Sequence, residues 1–378
     1  MKLLHLSDLH LGKRVNEFSM LEDQAYILSR IMDIIDAERP QAVIIAGDIY
    51  DKSVPSAEAV RLFDDFLFRL SLRELQVFTI SGNHDSAERT AFASRLISGS
   101  GVHLSPVYDG KVLPVRLEDA HGAVNFYMLP FIKPAHVRAA FPEAEINSYT
   151  DALRLAVEKL EMDSSERNVL IAHQFVTGAS RSDSEDVSVG GLDNVDSDVF
   201  AGIDYVALGH IHRAQSCGSD NIRYCGTPLK YSFSEISHEK SVSLVELGKK
   251  GDLSIRTIPL VPRRDMRQLR GSYMELTARS FYQDLATDDY LHIILTDEDD
   301  IPDGIGKLRS IYPNIMKLDY DNARTRAGFA VMDEAYSRNQ SPFELFAQLY
   351  ETQNGQSMSR EQAEFSMSLI EKIWEGSL

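Results

Sequence analysis

Five short polar motifs, each at the end of an apolar run, constrain this chain more than any other feature. Residues 3–6 lead into Asp8 and His10, and residues 42–46 into Gly47, Asp48 and Asp51. Residues 77–80 precede Gly82-Asn83-His84-Asp85, residues 169–172 precede His173, and residues 205–208 precede Gly209-His210-Ile211-His212. Short continuous apolar runs suit strands buried on both faces. Open α/β folds place their chemistry outside the carboxyl ends of such strands. The motifs therefore read as loops gathered at one edge of an α/β architecture.

Their chemistry asks for metal ions. Asp8, His10, Asp48, Asn83, His173, His210 and His212 make seven donors, too many for one four-coordinate ion. Asp48 stands between the two subsets and is the natural bridging carboxylate. Mixed carboxylate and imidazole donors suit manganese, iron or zinc, and no thiolate cluster points to a structural zinc. Two ions roughly 3.5–4 Å apart can grip the attacking and leaving oxygens of a phosphoryl displacement and generate hydroxide at neutral pH. A single histidine after a strand is more often a packed or surface residue. The ordered set carries the reading.

In this order the motifs resemble the calcineurin-like metallophosphoesterase signature, over about the first 260 residues. Further stretches are similar to SbcD-type nuclease subunits, the bacterial counterparts of Mre-type break-repair nucleases. These are Gly190-Gly191 leading to Val195 and Phe200, residues 204–212, and the string from Tyr224 to Glu235. The likeness weakens after about residue 270, and Leu9 stands where relatives often carry an aromatic.

The resemblance implies an α/β protein built as a two-sheet β-sandwich flanked by helices. It places a nuclease domain at 1–262, a small α/β capping domain at 271–325 and a helical partner-binding segment at 341–376. One divalent ion would be held by Asp8, His10, Asp48 and His212, the other by Asp48, Asn83, His173 and His210, with manganese the first choice. His84 would be a non-ligand catalytic residue that stabilises the phosphate or protonates the leaving oxygen. Asp51 is the favoured group to orient it; Asp85 is the alternative, or else caps the helix near Ser86. The implied activity is exonuclease and endonuclease cutting at DNA ends and hairpins, in repair and recombination. The implied partners are DNA, an SbcC-type coiled-coil ATPase and a second copy of the chain. Two other readings use the same residues: a small-molecule or cyclic-nucleotide phosphodiesterase, and a non-catalytic adaptor for the ATPase.

Composition bounds the rest. The 378 residues, 43% hydrophobic, allow a large core and more than one domain. No stretch approaches the roughly 18 apolar residues of a membrane span. Met1 to His5 runs straight into a metal motif, which excludes a discarded signal peptide. Cys217 and Cys225 fit unlinked thiols in a reducing compartment, so a cytoplasmic, nucleoid-associated protein is expected. The net charge of −18 opposes a general electrostatic grip on DNA, leaving that task to the metals and a partner. One basic stretch stands out, with Arg256, Arg263, Arg264, Arg267 and Arg270; it reads as a solvated linker or a phosphate-contacting strip. Lys13-Arg14 could steer a phosphate toward the metals.

Local signals place the elements. Ser19-Met-Leu-Glu22 reads as a capping box before a helix with Leu21, Ala25, Leu28, Ile31 and Ile35 along its inner face. Pro55-Ser56 opens another, with Val60, Phe63, Leu67 and Leu70 inward. Beyond Pro262, residues 272–276, 290–295 and 315–320 read as strands of a β-α-β-α-β unit. Ser341-Pro342-Phe-Glu344 and Ser359-Arg-Glu-Gln362 begin two amphipathic helices. The resemblance docks these on the coiled-coil root of SbcC, with Phe343 and Trp374 as anchors.

Overall fold

The computed structural model describes residues 1–185, 193–323, 325, 342–354 and 356–374. Gly190 and Gly191 lie outside the described residues, as does the side chain of Trp374. Two six-stranded sheets make up the body. The first runs Leu253–Pro259, Ser241–Leu247, Lys2–Leu6, Ala42–Ala46, Gln76–Ile80, Val102–Leu104. Its last four strands are parallel, and Ser241–Leu247 joins Lys2–Leu6 antiparallel. The second runs Gln215–Cys217, Ser219–Tyr224, Tyr205–Gly209, Arg167–His173, Gly122–Met128, Val115–Asp119, with a parallel centre and antiparallel edges.

The apolar runs are continuous because each central strand is buried on both faces. Leu3, Ala42, Ile44 and Phe78 point to the same inner core as Phe126, Val169, Ile171 and Ala207 of the other sheet. Phe78 stacks on Phe126 there, ring centroids 4.3 Å apart. The alternate residues Leu4, Val43, Ile45 and Val77 meet the helices Leu21–Glu38 and Ala57–Ser71 through Ile27, Ile31, Phe63 and Phe66. Leu170, Val206 and Leu208 meet the helix Tyr149–Glu158 in the same way. The result is helix, sheet, sheet, helix.

Several local expectations change. Met20, not Ser19, is the N-cap of the first helix, because Ser19 is taken up by a short hairpin in which it pairs with Arg14. Gln24 turns inward on that helix in place of Ala25, donating to the His10 carbonyl at 2.7 Å. Val60 is exposed together with Phe68 and Leu72. Ser56 and Ser359 do cap their helices, Ser359 and Gln362 reciprocally.

The basic stretch is neither a linker nor a free strip. Met266–Gly271 is the first strand of a three-stranded parallel sheet with Tyr290–Leu295 and Ile315–Tyr320. Residues 272–276 are not its strand: Ser272 and Glu275 form a capping box that starts the helix Tyr273–Thr277. As an edge strand, Met266–Gly271 keeps Arg267 and Arg270 outside while Met266 is buried. Arg267 pairs with Asp289, Arg270 with Asp321, Arg264 with Glu22 and Asp23, Arg263 with Glu22 and Arg256 with Glu38.

The two large sheets touch at the carboxyl ends of their central strands. A Cβ on Gly209 would lie 1.9 Å from the Ala46 carbonyl oxygen and 2.7 Å from His173 Nδ1. Gly209→Ala should therefore cost about 3 kcal/mol or more of stability in denaturant titrations. Gly122→Ala, whose added Cβ meets nothing within 4 Å, should cost only about 1–2 kcal/mol of left-handed backbone strain. Equal losses at the two positions would mean that the strand ends are not in contact.

Candidate metal centre

The donor loops are held to one another by their backbones. Asp8 N–H donates to the Gly47 carbonyl at 3.0 Å, and His10 N–H to the Asp48 carbonyl at 2.9 Å. His210 N–H donates to Asp8 Oδ1 at 3.0 Å, which ties the second sheet to the first. Asp8, His10, Asp48 and His210 all have positive φ, a costly conformation for residues with a Cβ. Such strain persists only where the surroundings over-determine it. Gly47, at φ +88°, turns the chain beneath His173, and a Cβ there would meet Nδ1 at 2.4 Å.

All seven expected donors converge. Asp48 Oδ2 lies 3.3 Å from His173 Nε2 and 3.7 Å from His10 Nε2. Asn83 Oδ1 lies 2.9 Å from both His173 Nε2 and His210 Nδ1. His10 Nε2 and His212 Nε2 face each other at 3.2 Å. Asp8, His10 and His212 bring one ligand atom each within 4.8 Å of one another, as do Asp8, Asp48 and His173. Six of the seven are buried, Asn83 partly so. Imidazole nitrogens aimed at each other and at carboxylates fit shared cations, and the donor set of carboxylate, amide oxygen and imidazole contains no thiolate.

His84 stands beside this cluster. Its Nε2 is 3.9 Å from Asp48 Oδ2, its N–H donates to Asp48 Oδ1 at 2.9 Å, and His10 packs edge-on to its ring. Asp51 meets it through the main chain: His84 Nδ1–H donates to the Asp51 carbonyl at 3.1 Å. The Asp51 carboxylate instead binds Lys13 at 2.7 Å. The Asp85 carboxylate accepts from the N–H groups of Ile49, Tyr50 and Gly82, so it fastens two donor loops together.

A sequence model described as calcineurin-like phosphoesterase matches residues 1–214, and one described as type 5 capsule protein repressor C-terminal domain matches residues 262–354. The chain is 33% identical over 322 residues to a Staphylococcus epidermidis protein named as the SbcD subunit of the nuclease SbcCD, covering 84% of this chain and 85% of that one. A protein of the same name from Staphylococcus saprophyticus subsp. saprophyticus is also 33% identical, over 84% of each chain. A dimetal phosphatase structure from Danio rerio aligns at TM-score 0.41 and 14% identity, over 69% of this chain and 96% of its own, and is too remote to assign anything here. The chain belongs to the SbcD family of calcineurin-like phosphoesterases.

The family's fold implies divalent metal ions, and the buried His and Asp cluster is where this chain can hold them. Around it the string from Tyr224 to Glu235 forms a cradle, a task that its residues alone do not announce. Tyr224 Oη donates to the Gln174 carbonyl, Cys225 Sγ contacts Ser7 Oγ, and Tyr231 Oη donates to the Leu9 carbonyl. Gly226 lies against His212, where a Cβ would meet the carbonyl oxygen at 2.7 Å. Ser184, Glu185, Glu235 and Lys240 also surround His212, and the sequence reading assigns a role to none of them. The one available signal was polar residues clustered near that string.

Burial dominates the electrostatics. It pushes the Asp8 carboxyl up to about 6 against the pull of His173, and it pushes Asp85 to about 6 with Asp48 adding to the effect. Burial alone would lower His173, but the adjacent Asp48 lifts it to about 9. Asp48 is held well below the usual range: burial opposes its charge, yet His173, His10 and His84 outweigh that. His10 and His210 are pushed well down by burial, leaving neutral rings suited to coordination.

The stability of the metal-free protein follows from these directions. Asp8, Asp85 and His173 have folded values above their unfolded ones, near 4 for Asp and roughly 6.5 for His. Their contribution is fully present below the unfolded values and is lost as pH rises through about 6, then about 9. Asp48, His10 and His210 work oppositely: the contribution of the two histidines declines as pH falls below roughly 6.5, and that of Asp48 is lost only in strong acid. Chelator-treated protein should melt highest in mild acid and lose stability toward pH ~9. Divalent metal, which needs deprotonated ligands, should move that maximum above pH ~7. Melting curves across this range check it, and a flat profile in chelator would sink it.

Proposed function

We propose that this chain is the nuclease subunit of an SbcCD-type, ATP-dependent complex that cuts DNA ends and hairpins in repair and recombination. The observation that carries the reading is seven converging donors with His84 beside them, in a chain one-third identical to named SbcCD nuclease subunits over most of its length. Asp8, His10, Asp48 and His212 hold one ion; Asp48, Asn83, His173 and His210 hold the other; manganese is the first choice for both. Ions in this position supply Lewis acidity that activates water and neutralises phosphoryl charge. His84, its Nδ1–H fixed on the Asp51 carbonyl, turns Nε2 toward the centre and can hold the proton that the leaving oxygen needs.

The remaining parts take complementary roles. Residues 1–262 form the nuclease domain. The capping domain expected at 271–325 also takes in the strand Met266–Gly271, and a pocket of about 590 Å³ is lined by Lys13, Tyr231 and Phe233 together with Gln268, His292 and Lys317. None of the seven donors lines that space; it adjoins them through Ser184, which meets His212, and Tyr231, which packs on His10, and it suits one strand of nucleic acid passing beside the centre. Residues 341–376 bind the coiled-coil ATPase: among the described residues, Phe346, Leu349, Phe365, Met367 and Leu369 are exposed on two short helices. The exposed Val60 and Phe68 on the helix Ala57–Ser71, Leu72 at its C-cap, and Phe92 and Leu96 after it support a homodimer. We place this enzyme in the cytoplasm with the nucleoid, where its proposed substrate lies; no described helix is long and apolar enough to cross a membrane.

The deciding test is manganese-dependent cleavage of linear and hairpin-ended duplex DNA, with cyclic nucleotide and aryl phosphodiester in parallel. His84→Gln should slow cleavage by about 10²–10⁴-fold with metal content unchanged. Asp48→Ala should lose both metal and activity. Cleavage of the small esters alone, with the ATPase present, would overturn the nuclease reading. Removing residues 341–378 should release the ATPase and leave small-ester cleavage intact; retained binding would refute the tail's role.

A further inference from the structure

Four imidazoles stand in the centre, and their outward nitrogens are treated differently. His173 Nδ1–H donates to the neutral Ala46 carbonyl at 2.8 Å. His210 turns Nδ1 inward to Asn83 Oδ1 at 2.9 Å. His10 Nδ1 has no hydrogen-bond partner among the described residues, the Asp51 carboxylate being 3.9 Å away. Among the described residues only His212 sets its outward nitrogen against a wholly buried carboxylate: its Nδ1 lies 3.2 Å from Glu235 Oε1 and 2.6 Å from Ser184 Oγ, which donates to that same oxygen.

The surroundings show that this carboxylate is kept charged and fixed. Glu235 is wholly buried, and Lys240 Nζ, itself nearly buried, donates to its Oε2 at 2.5 Å. Lys240 also donates to Thr227 Oγ1 at 2.6 Å and to the His212 carbonyl at 2.9 Å. The Glu185 carboxylate accepts from the His212 N–H at 2.6 Å. His212 is thus gripped at its ring, its carbonyl and its amide by one network, and only Nε2 is left to face His10. A carboxylate behind a ligating histidine fixes the tautomer, orients the ring and raises the basicity of the coordinating nitrogen.

We propose that Glu235 is a positioning residue for His212 and makes the two metal sites unequal, strengthening the one built from Asp8, His10, Asp48 and His212. The inference rests on the two-metal reading given above. A buried Glu–Lys pair can also be merely structural, since one partner without the other leaves an uncompensated charge. The two roles separate on metal binding.

The experiment is titration of the chelator-stripped full chain with Mn²⁺ alone, followed by calorimetry, with a thermal melt of each variant. Wild type should show two binding events. Glu235→Gln should weaken one of them about 10–100-fold and leave the other unchanged. The double variant Glu235→Gln/Lys240→Met removes both buried charges together and should show the same selective loss, which keeps the test alive if the single variant folds poorly. In a His212→Ala background, Glu235→Gln should cause no further loss; in an Asn83→Ala background it should still act. Two unaltered events in both Glu235 variants, or equal weakening of the two, overturn the proposal. A wild-type chain that takes up no Mn²⁺ overturns the two-metal reading and this inference with it, whereas intact sites in the variants overturn the inference alone.

Discussion

Everything at the centre depends on how closely three strand ends approach one another. Ala46 ends a strand of the first sheet, while His173 and Gly209 end neighbouring strands of the second. The Ala46 carbonyl accepts from His173 Nδ1–H, and Gly209 packs so tightly on that carbonyl that no side chain fits. Asp8, His10, Asp48 and Asn83 come from one sheet, and His173, His210 and His212 from the other. The spacing between the sheets is therefore the spacing between the two halves of the donor set. The inner core sets that spacing through stacked Phe78 and Phe126 and their aliphatic neighbours, and close packing of this kind resists adjustment even by a methylene group. A glycine precedes Asp48, Asn83 and His210 alike, and at each of the three an added Cβ would come within 2.4 Å of a neighbouring atom.

Such a centre conflicts with the stability of the protein that carries it. Asp8, Asp48 and Asp85 are desolvated close together, and four donor residues hold left-handed backbone. Desolvated carboxylates are costly unless paired or hydrogen-bonded. The compensation is local and specific: Asp85 takes three backbone N–H groups, Asp8 takes the His210 N–H and the Ser7 hydroxyl, and Asp48 takes the His84 N–H and sits beside His173. The cradle from Tyr224 to Glu235 completes it by clamping the Leu9 and His212 carbonyls from outside. Rigidity here comes from hydrogen bonds to main-chain atoms of the donor loops, which is why loops without regular structure can hold a strained geometry.

That arrangement explains what could be read from the sequence and what could not. The donors were legible because each follows an apolar strand doubly buried between sheet and helices, a pattern visible in single stretches of residues. The Ser359 cap was legible for the same reason, being a contact three residues long. Glu235 was not: its contact with His212 spans 23 residues, and the link from Ser184 spans 51. Asp51 lies beside His84 as expected, but its main chain rather than its acid group meets the ring, the carboxylate being bound to Lys13. The strand Met266–Gly271 was missed because an edge position tolerates arginine at alternate sites, so its polar pattern resembled a linker.

The ion pairs of that same strand bear on charge. With 57 acidic against 39 basic residues, positive potential is scarce, and the basic cluster is already matched by Glu22, Asp23, Glu38, Asp289 and Asp321. Lys13 is bound to Asp51, and Lys317 to Asp319. The exposed pairs among these, Arg263–Glu22 and Lys317–Asp319, contribute about 1 kcal/mol or less each, so a phosphate could displace such a carboxylate at small cost but would leave that acid facing it. Electrostatic attraction of DNA by this chain alone is therefore weak at its surface and strong only where metal charge is concentrated. In the proposed nuclease this would be selective: a phosphate would gain most at the metal centre and little elsewhere, and sustained binding along a duplex would fall to a partner. In the proposed assembly, the exposed Phe346, Leu349, Phe365, Met367 and Leu369 of the C-terminal helices are the residues that would meet that partner.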